Sequence, residues 1–137
     1  MLIIILVFLE VTGVQLLAQD DLYPLAPEVW SEPIRIEAVS KIYSWDDSPS
    51  LTKNLDTMYF EDNTSVVMSV KVDVVWQEPV KLSSNVNDSA VIRHPMISRD
   101  GKRLYTSAWG GYGSWDLWLN IWNPMLNDWD NRSIWNR

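Results

Sequence analysis

The sequence predicts an all-β protein, and three observations lead to this prediction. Short segments alternate between apolar and polar side chains, which is the period of a half-buried strand. The chain contains 9 Trp among its 137 residues, and aromatic and β-branched residues favour strands. No segment after residue 20 has a convincing helical period. We therefore expect strands joined by turns through most of the chain.

An internal repeat organises these strands. Three separated blocks of the chain recur 46 residues later: WSEPI at 30–34 as WQEPV at 76–80, SPSLT at 48–52 as HPMIS at 94–98, and MY at 58–59 as LY at 104–105. A third Trp signature, WDNRSIW, begins at residue 129, which is 53 residues after Trp76. The second unit is longer mainly because it contains a glycine-rich turn at residues 110–114.

Each unit is predicted to contain four strands. In the second unit we expect strands at 95–98, 103–109 and 117–122, with an outer strand that begins at Trp129. Asp100-Gly101 predicts a hairpin turn, because both residues tolerate the positive φ that tight turns need. We expect Leu117, Leu119 and Ile121 on the buried face of the third strand. In the first unit the third strand is predicted to alternate without interruption from Val66 to Trp76.

A unit of about 40–50 residues with four strands is typical of a β-propeller blade. A single four-stranded blade buries little apolar surface and needs a neighbour on each apolar face. Propellers close with about 4–8 blades, so two blades cannot close. The sequence therefore predicts about two blades, either as a fragment of a larger propeller or as a piece that assembles with other copies. Self-association is expected in the second case.

These features divide the chain into five parts. We predict a signal peptide at 1–18, a linker at 19–29, one blade repeat at 30–75, a second at 76–128, and the start of a third at 129–137. The signal peptide is inferred from the apolar run that begins MLIIILVF, followed by polar residues from Gln19. The alternative interpretation of the same run is a buried first strand.

The second unit also resembles a known family. The segment HPMISRDGKRLYTSAWGGYGSWDLW, followed by Trp129, resembles the WD-repeat-like propeller repeats of bacterial exported proteins, the TolB-type family. The first unit is a looser match, because Asn54-Leu55 stands where that family has Asp-Gly. The resemblance implies a periplasmic, cell-envelope or secreted protein that binds proteins or glycans. It implies no particular activity, because one fold hosts many functions.

Charge and composition narrow the classes of partner. The formal net charge is -7, whereas a nucleic-acid partner would require a basic stripe. The chain has no Cys, and His94 is its single histidine, so a Ser-His-Asp triad would have to use that residue. We predict no catalytic residue, no metal and no cofactor. Membrane contact is expected only through the signal segment.

The glycine-rich turn is the candidate binding site. We predict that Trp109, Tyr112, Trp115 and Trp118 form it, because exposed aromatic rings stack on sugars or act as protein hot spots. Six further residues are predicted to be structural turn residues: Asp100, Gly101, Gly110, Gly111, Gly113 and Asp116. The alternative is that the Trp residues only pack between blades. The favoured function is a noncatalytic binding or scaffold module with a protein or glycan partner; the alternative is part of a propeller-based glycan-active hydrolase.

Overall fold

A computed structural model describes residues 32–40, 45–88 and 91–135 of the chain. The predicted signal peptide and linker lie outside these residues. The chain divides into two compact units, Met1–Ile34 and Arg35–Arg137, and the strands described below all belong to the second. Among the described residues there is no helix, so none is long and apolar enough to cross a membrane.

The described strands form two antiparallel sheets, which we call blade 1 and blade 2. Blade 1 contains β1 (Asp46–Leu51), β2 (Thr57–Asp62), β3 (Ser65–Val72), β4 (Val75–Trp76) and β5 (Val80–Lys81). Blade 2 contains β6 (Ile92–Ile97), β7 (Arg103–Gly110), β8 (Ser114–Asn123), β9 (Asp128–Trp129) and β10 (Ser133–Ile134). The prediction of an all-β fold made of blade-like antiparallel sheets is confirmed.

Each blade is a meander of four strand positions, and the fourth position is interrupted. In blade 1, β4 and β5 both pair with β3, and Pro79, which cannot donate a backbone hydrogen bond, lies between them. In blade 2, β9 and β10 both pair with β8. Each blade therefore follows the strand order of a propeller blade, with the outer strand broken in two.

The 46-residue repeat is visible in the backbone itself. Ser48 and His94 both have a φ of 52°, and each lies at a β-bulge in the first strand of its blade. The following turns also correspond: the Thr52 N–H donates to the Thr57 carbonyl at 3.0 Å, and the Ser98 N–H donates to the Arg103 carbonyl at 2.8 Å. The two units thus share bulges and turns as well as sequence.

The two blades pack face to face over the main hydrophobic core. We call the face of a blade that is turned toward the following blade its trailing face, and the opposite face its leading face. Blade 1 contributes its trailing face, which carries Tyr59, Val66 and Met68. Blade 2 contributes its leading face, which carries Leu104, Thr106 and Ala108. Additional core residues come from β6, from the outer strand and from the segment that connects the blades: Ile92, Ile97, Trp129 and Val86.

A valine from the segment before each blade inserts under that blade's leading face. Val86 does so for blade 2, and its N–H donates to the Ser83 carbonyl at 3.2 Å. Val39 does so for blade 1, where it packs with Met58, Phe60 and Val67, and its N–H donates to the Ile36 carbonyl at 3.1 Å. The two blades therefore share an inserted valine on the leading face, and blade 2 is covered there by blade 1 as well.

The expected burial of the third strand of blade 2 is wrong. The register pairs Leu119 with Tyr105 and Leu117 with Ser107, which places these leucines and Ile121 on the trailing face of blade 2, away from blade 1. Leu117 is 44% exposed and Ile121 is 49% exposed; only Leu119 is buried. The error arises because apolar side chains occupy both faces of β8, and alternation alone does not say which face is covered.

The expected single third strand in blade 1 is also wrong. β3 ends at Val72, and Asp73 and Val74 have φ values of 46° and 65°. Two successive positive φ values form the two-residue hairpin that reverses an antiparallel ladder, so Trp76 pairs back onto Lys71. Val74 is β-branched, as strand residues often are. The alternation of apolar and polar residues therefore continues across the turn and does not reveal it.

One turn position supports a stability prediction. Leu55 has a φ of 59° at the position equivalent to Gly101, whose φ is 69°. A left-handed conformation costs a residue with a Cβ about 1–2 kcal/mol, and glycine loses about half of that gain through unfolded-state entropy. We expect Leu55→Gly to raise the free energy of unfolding by about 0.5–1 kcal/mol. Chemical denaturation measures the change; an unchanged or lower midpoint would contradict it, and Gly101→Ala should act in the opposite direction.

Candidate functional site

The candidate site lies on an extension of the β7–β8 hairpin. In blade 1 the β2–β3 ladder ends at the pair Asp62 and Ser65, and two residues form the turn. The corresponding pair in blade 2 is Ala108 and Asp116, but the ladder continues to the pair Gly110 and Ser114. Residues 109–115 therefore have no structural counterpart in blade 1 beyond the short turn at 63–64.

The end of this extension is ordered by Asp116 and Gly111. The Tyr112 N–H donates to Oδ2 of Asp116 at 2.9 Å. Gly111 has a φ of 71°, and a Cβ at this position would lie 2.6 Å from the same Asp116 oxygen and 2.8 Å from Cδ1 of Ile134. Glycine is therefore required here both by its backbone conformation and by the close approach of the carboxylate.

Three aromatic side chains share this extension, and we call Trp109, Tyr112 and Trp115 the aromatic corner. Trp109 and Trp115 are directly paired across the two strands, with ring centroids 6.2 Å apart and an angle of 89° between the rings. Trp109 is 61% exposed, Tyr112 is 62% exposed and Trp115 is 45% exposed. The edge-to-face geometry fixes the two Trp rings without burying them.

Trp118 is not part of the aromatic corner. It lies on the leading face of blade 2, packs against the main core, and donates from Nε1 to the Ala108 carbonyl at 3.3 Å. Its ring is covered by the guanidinium of Arg132 at 4.3 Å, which is held by Asp88 at 2.8 Å. The structure brings three of the four candidate aromatic residues together and places the fourth in the packing between blades.

Arg93 is a component of the site that sequence reasoning missed. Its guanidinium carbon lies 5.8 Å from the centre of the Trp115 ring, and its Nε lies 3.6 Å from Oε1 of Glu61. Glu61 is buried, and burial, followed by the negative charge of Asp47, raises the pKa of its carboxyl group. Arg93 thus connects the blade interface to the aromatic corner, through a contact that depends on strand pairing and leaves no local sequence signal.

The turn at Asp100 and Gly101 lies at the opposite end of blade 2. Asp100 accepts hydrogen bonds from the Ser98 hydroxyl and, at 3.1 Å, from the Lys102 N–H. These two bonds are the main reason that the pKa of Asp100 is lowered. The carboxylate and the positive φ of Gly101 together close the β6–β7 turn.

Metal-ligating groups do not converge in the part of the chain that the structure describes. Within it, no three or more His, Cys, Asp or Glu side chains form a group that could hold a metal ion. Asp128, in the outer strand, accepts hydrogen bonds from Ser83 at 3.0 Å and Asn85 at 3.2 Å. Asp130 accepts one from Asn123 at 2.8 Å. Asp128 thus ties the outer strand to the segment that connects the blades, and Asp130 ties the residue after β9 to the end of β8.

The described fold and site define an all-β chain of two propeller-type blades, one of which carries an exposed aromatic hairpin. Comparison of the sequence and structure with protein-family models, with curated proteins and with solved structures gives no significant match.

Proposed function

We propose that this chain is a noncatalytic binding module of an exported propeller-type protein, and that the aromatic corner is its contact surface for a protein partner. The observation that carries the proposal is the hairpin extension. Blade 1 has a short turn at the same place, so the fold does not need Trp109, Tyr112 and Trp115 in order to complete a blade. Residues that the fold does not need, and that remain exposed, are the candidates for recognition.

Blade packing supports this interpretation. Blade 2 covers Val66 completely, yet Asn63 and Thr64 at the adjacent hairpin of blade 1 stay exposed. A neighbour that packed on the trailing face of blade 2 in the same manner would stop near the level of Ala108 and leave residues 109–115 uncovered. The aromatic corner therefore lies beyond the surface that a neighbouring blade of this type would cover.

The chemistry of the corner favours a protein partner over a glycan. Trp, Tyr and Arg are the residue types enriched in protein hot spots, and Trp109, Tyr112, Trp115 and Arg93 supply all three. The two Trp rings are nearly perpendicular, so they do not form one flat platform for successive sugar rings. The resemblance of the repeat to exported propeller proteins supports the proposed location in the periplasm, the cell envelope or the medium. The glycan-active hydrolase stays the alternative.

A peptide-selection experiment tests the proposal. Panning a random 12-residue peptide library on the immobilised chain should enrich peptides that bind the corner. The double variant Tyr112→Ala with Trp115→Ala should bind these peptides at least about tenfold more weakly, since a hot-spot side chain contributes 2 kcal/mol or more. Loss of the edge-to-face pair should reduce stability by only about 0.5–1.5 kcal/mol. Trp45→Ala, which removes an exposed Trp from blade 1, is the matched control.

Two outcomes would overturn the proposal. A melting temperature that collapses in the double variant would show that the rings are packing residues, as the alternative interpretation holds. Retained peptide binding in a folded double variant would show that the corner is not the contact surface. A glycan panel run on the same variants distinguishes the sugar-binding alternative, and hydrolysis of a glycan that is abolished by one carboxylate substitution would favour the enzyme.

A further inference from the structure

We propose a second binding site, for a carboxylate-bearing oligosaccharide, in a groove at the end of the blades opposite the aromatic corner. In a four-stranded meander the first and third turns lie at one end and the second turn at the other. The aromatic corner is the second turn of blade 2, whereas the groove is bordered by the β1–β2 turn, the β6–β7 turn and the β8–β9 hairpin. The two sites are therefore spatially separate and can be tested independently.

The groove consists of two adjoining clefts along the seam between the blades. The first cleft, of about 640 Å³, lies between the turns at residues 52–57 and 99–101. The second, of about 590 Å³, lies between residues 81–83 of the connecting segment and residues 127–129. The clefts share Tyr59, Asp100 and Gly101, so they form one elongated surface. Each is large enough for one or two sugar rings.

Four cationic side chains and three carboxylates line this groove, although the chain as a whole has a net charge of -7. Lys53 and Arg99 line the first cleft, and Lys81 and Lys102 line the second. Lys53 and Arg99 occupy equivalent positions in the 46-residue repeat. The ammonium groups of Lys53, Lys81 and Lys102 form no ion pair within residues 32–40, 45–88 and 91–135.

The carboxylates of the groove are already engaged by the fold. Asp56 accepts hydrogen bonds from the Asn54 amide at 2.5 Å and the Thr57 hydroxyl at 2.9 Å. Asp100 closes its own turn and is 3.5 Å from Arg103, and Asp128 is bonded to Ser83 and Asn85. These hydrogen bonds fix the positions of Asp56 and Asp128 but leave their negative charge, whereas Asp100 is paired with Arg103. The three lysine ammonium groups form no ion pair with these acids and are available to an external anion.

The distribution of these groups points to an acidic sugar chain. The cations are spread over two clefts, which suits a ligand with repeated negative charges better than a single phosphate. Thr52 and Asn54 in the first cleft and Asn127 in the second add neutral donors and acceptors of the kind that bond sugar hydroxyls. Carboxylated sugars combine both chemistries in every ring.

Calorimetric titration of the full chain with trigalacturonic acid tests the proposal. Binding should be measurable at low salt and should weaken as ionic strength rises, because the contacts are exposed and screened. The triple variant Lys53→Gln, Lys81→Gln, Lys102→Gln should lose at least about tenfold in affinity, which corresponds to about 1.4 kcal/mol. Lys71→Gln is the matched control, since Lys71 lies over Trp76 on blade 1 and outside the groove.

The controls separate charge from sugar recognition. Cellotriose, which is neutral, should not bind, and triglutamate should bind more weakly than trigalacturonic acid. No binding of trigalacturonic acid at low salt, or an equal loss in Lys71→Gln, would overturn the proposal. Equal or tighter binding of triglutamate would overturn the sugar assignment in favour of an acidic peptide. The Tyr112→Ala, Trp115→Ala variant should bind trigalacturonic acid like the parent chain, so failure of one proposal does not imply failure of the other.

Discussion

Trp129→Ala is expected to destabilise the described fold by about 3–5 kcal/mol, the usual cost of truncating a buried aromatic side chain. Trp129 is 2% exposed and contacts both blades. Its ring packs edge-to-face on Tyr59 of blade 1, with centroids 6.1 Å apart, and on Trp122 of blade 2, with centroids 5.5 Å apart. The main core lies between two sheets and has no other layer to fill the space that the indole leaves.

Thermal and urea denaturation of the purified variant measure this loss. The matched control is Trp76→Ala, because Trp76 is the repeat equivalent of Trp129 and has the same side-chain volume. Trp76 is only half-buried, and it packs beside the smaller cluster of Met58, Phe60 and Val67. We expect the control to lose clearly less stability. Equal losses in the two variants would show that the blade interface is not the dominant core.

The blade pattern could be predicted from the sequence because turn chemistry marks the ends of the strands. Asp100-Gly101 closes the β6–β7 turn where expected. Because the two units are related by an offset of 46 residues, the same strand order could be predicted for blade 1. Leu55 shows the strength of the repeat, since it adopts the positive φ of Gly101 despite its side chain. Turn position was predictable even where the turn residue itself is unfavourable.

Two features of the fold could not be predicted because they depend on tertiary pairing. The hairpin at Asp73 and Val74 interrupts a run of alternating valines, and β-branched residues rarely mark a turn. The covered face of β8 depends on which neighbour packs against blade 2, and both faces carry large apolar side chains. Such strands are ambiguous until the packing is known.

The candidate site was predicted in part, for a reason that lies in strand geometry. Trp115 and Trp118 are three residues apart in β8, and side chains an odd number of residues apart point to opposite faces of a sheet. Alternation therefore separates Trp118 from the aromatic corner, whereas the cross-strand register brings Trp109 to Trp115. Arg93 comes from a different strand and only the folded sheet brings it near.

Self-association through the trailing face of blade 2 is the second large effect that we expect. Leu117 and Ile121 are exposed there. Val66, the equivalent of Leu117 in blade 1, is buried in the core, and Val70, the equivalent of Ile121, is 36% exposed. Trp135 lies edge-to-face on Tyr105 at 5.0 Å and adds to the same apolar surface. Exposed apolar patches of this kind drive association, so sedimentation velocity of the full chain should show concentration-dependent oligomers.

Charge introduced on this face tests the prediction. Leu117→Lys with Ile121→Lys should shift the distribution to the monomer, because two ammonium groups cannot be buried in an apolar contact without a large desolvation cost. Met125→Lys with Leu126→Lys adds the same charge in the exposed β8–β9 loop and controls for the change in net charge. A monodisperse parent monomer would contradict the prediction, and so would equal dissociation of the control. Dissociation in the Leu117→Lys, Ile121→Lys variant alone would show that the copies associate through the trailing face of blade 2. In blade 1 the same face packs against blade 2.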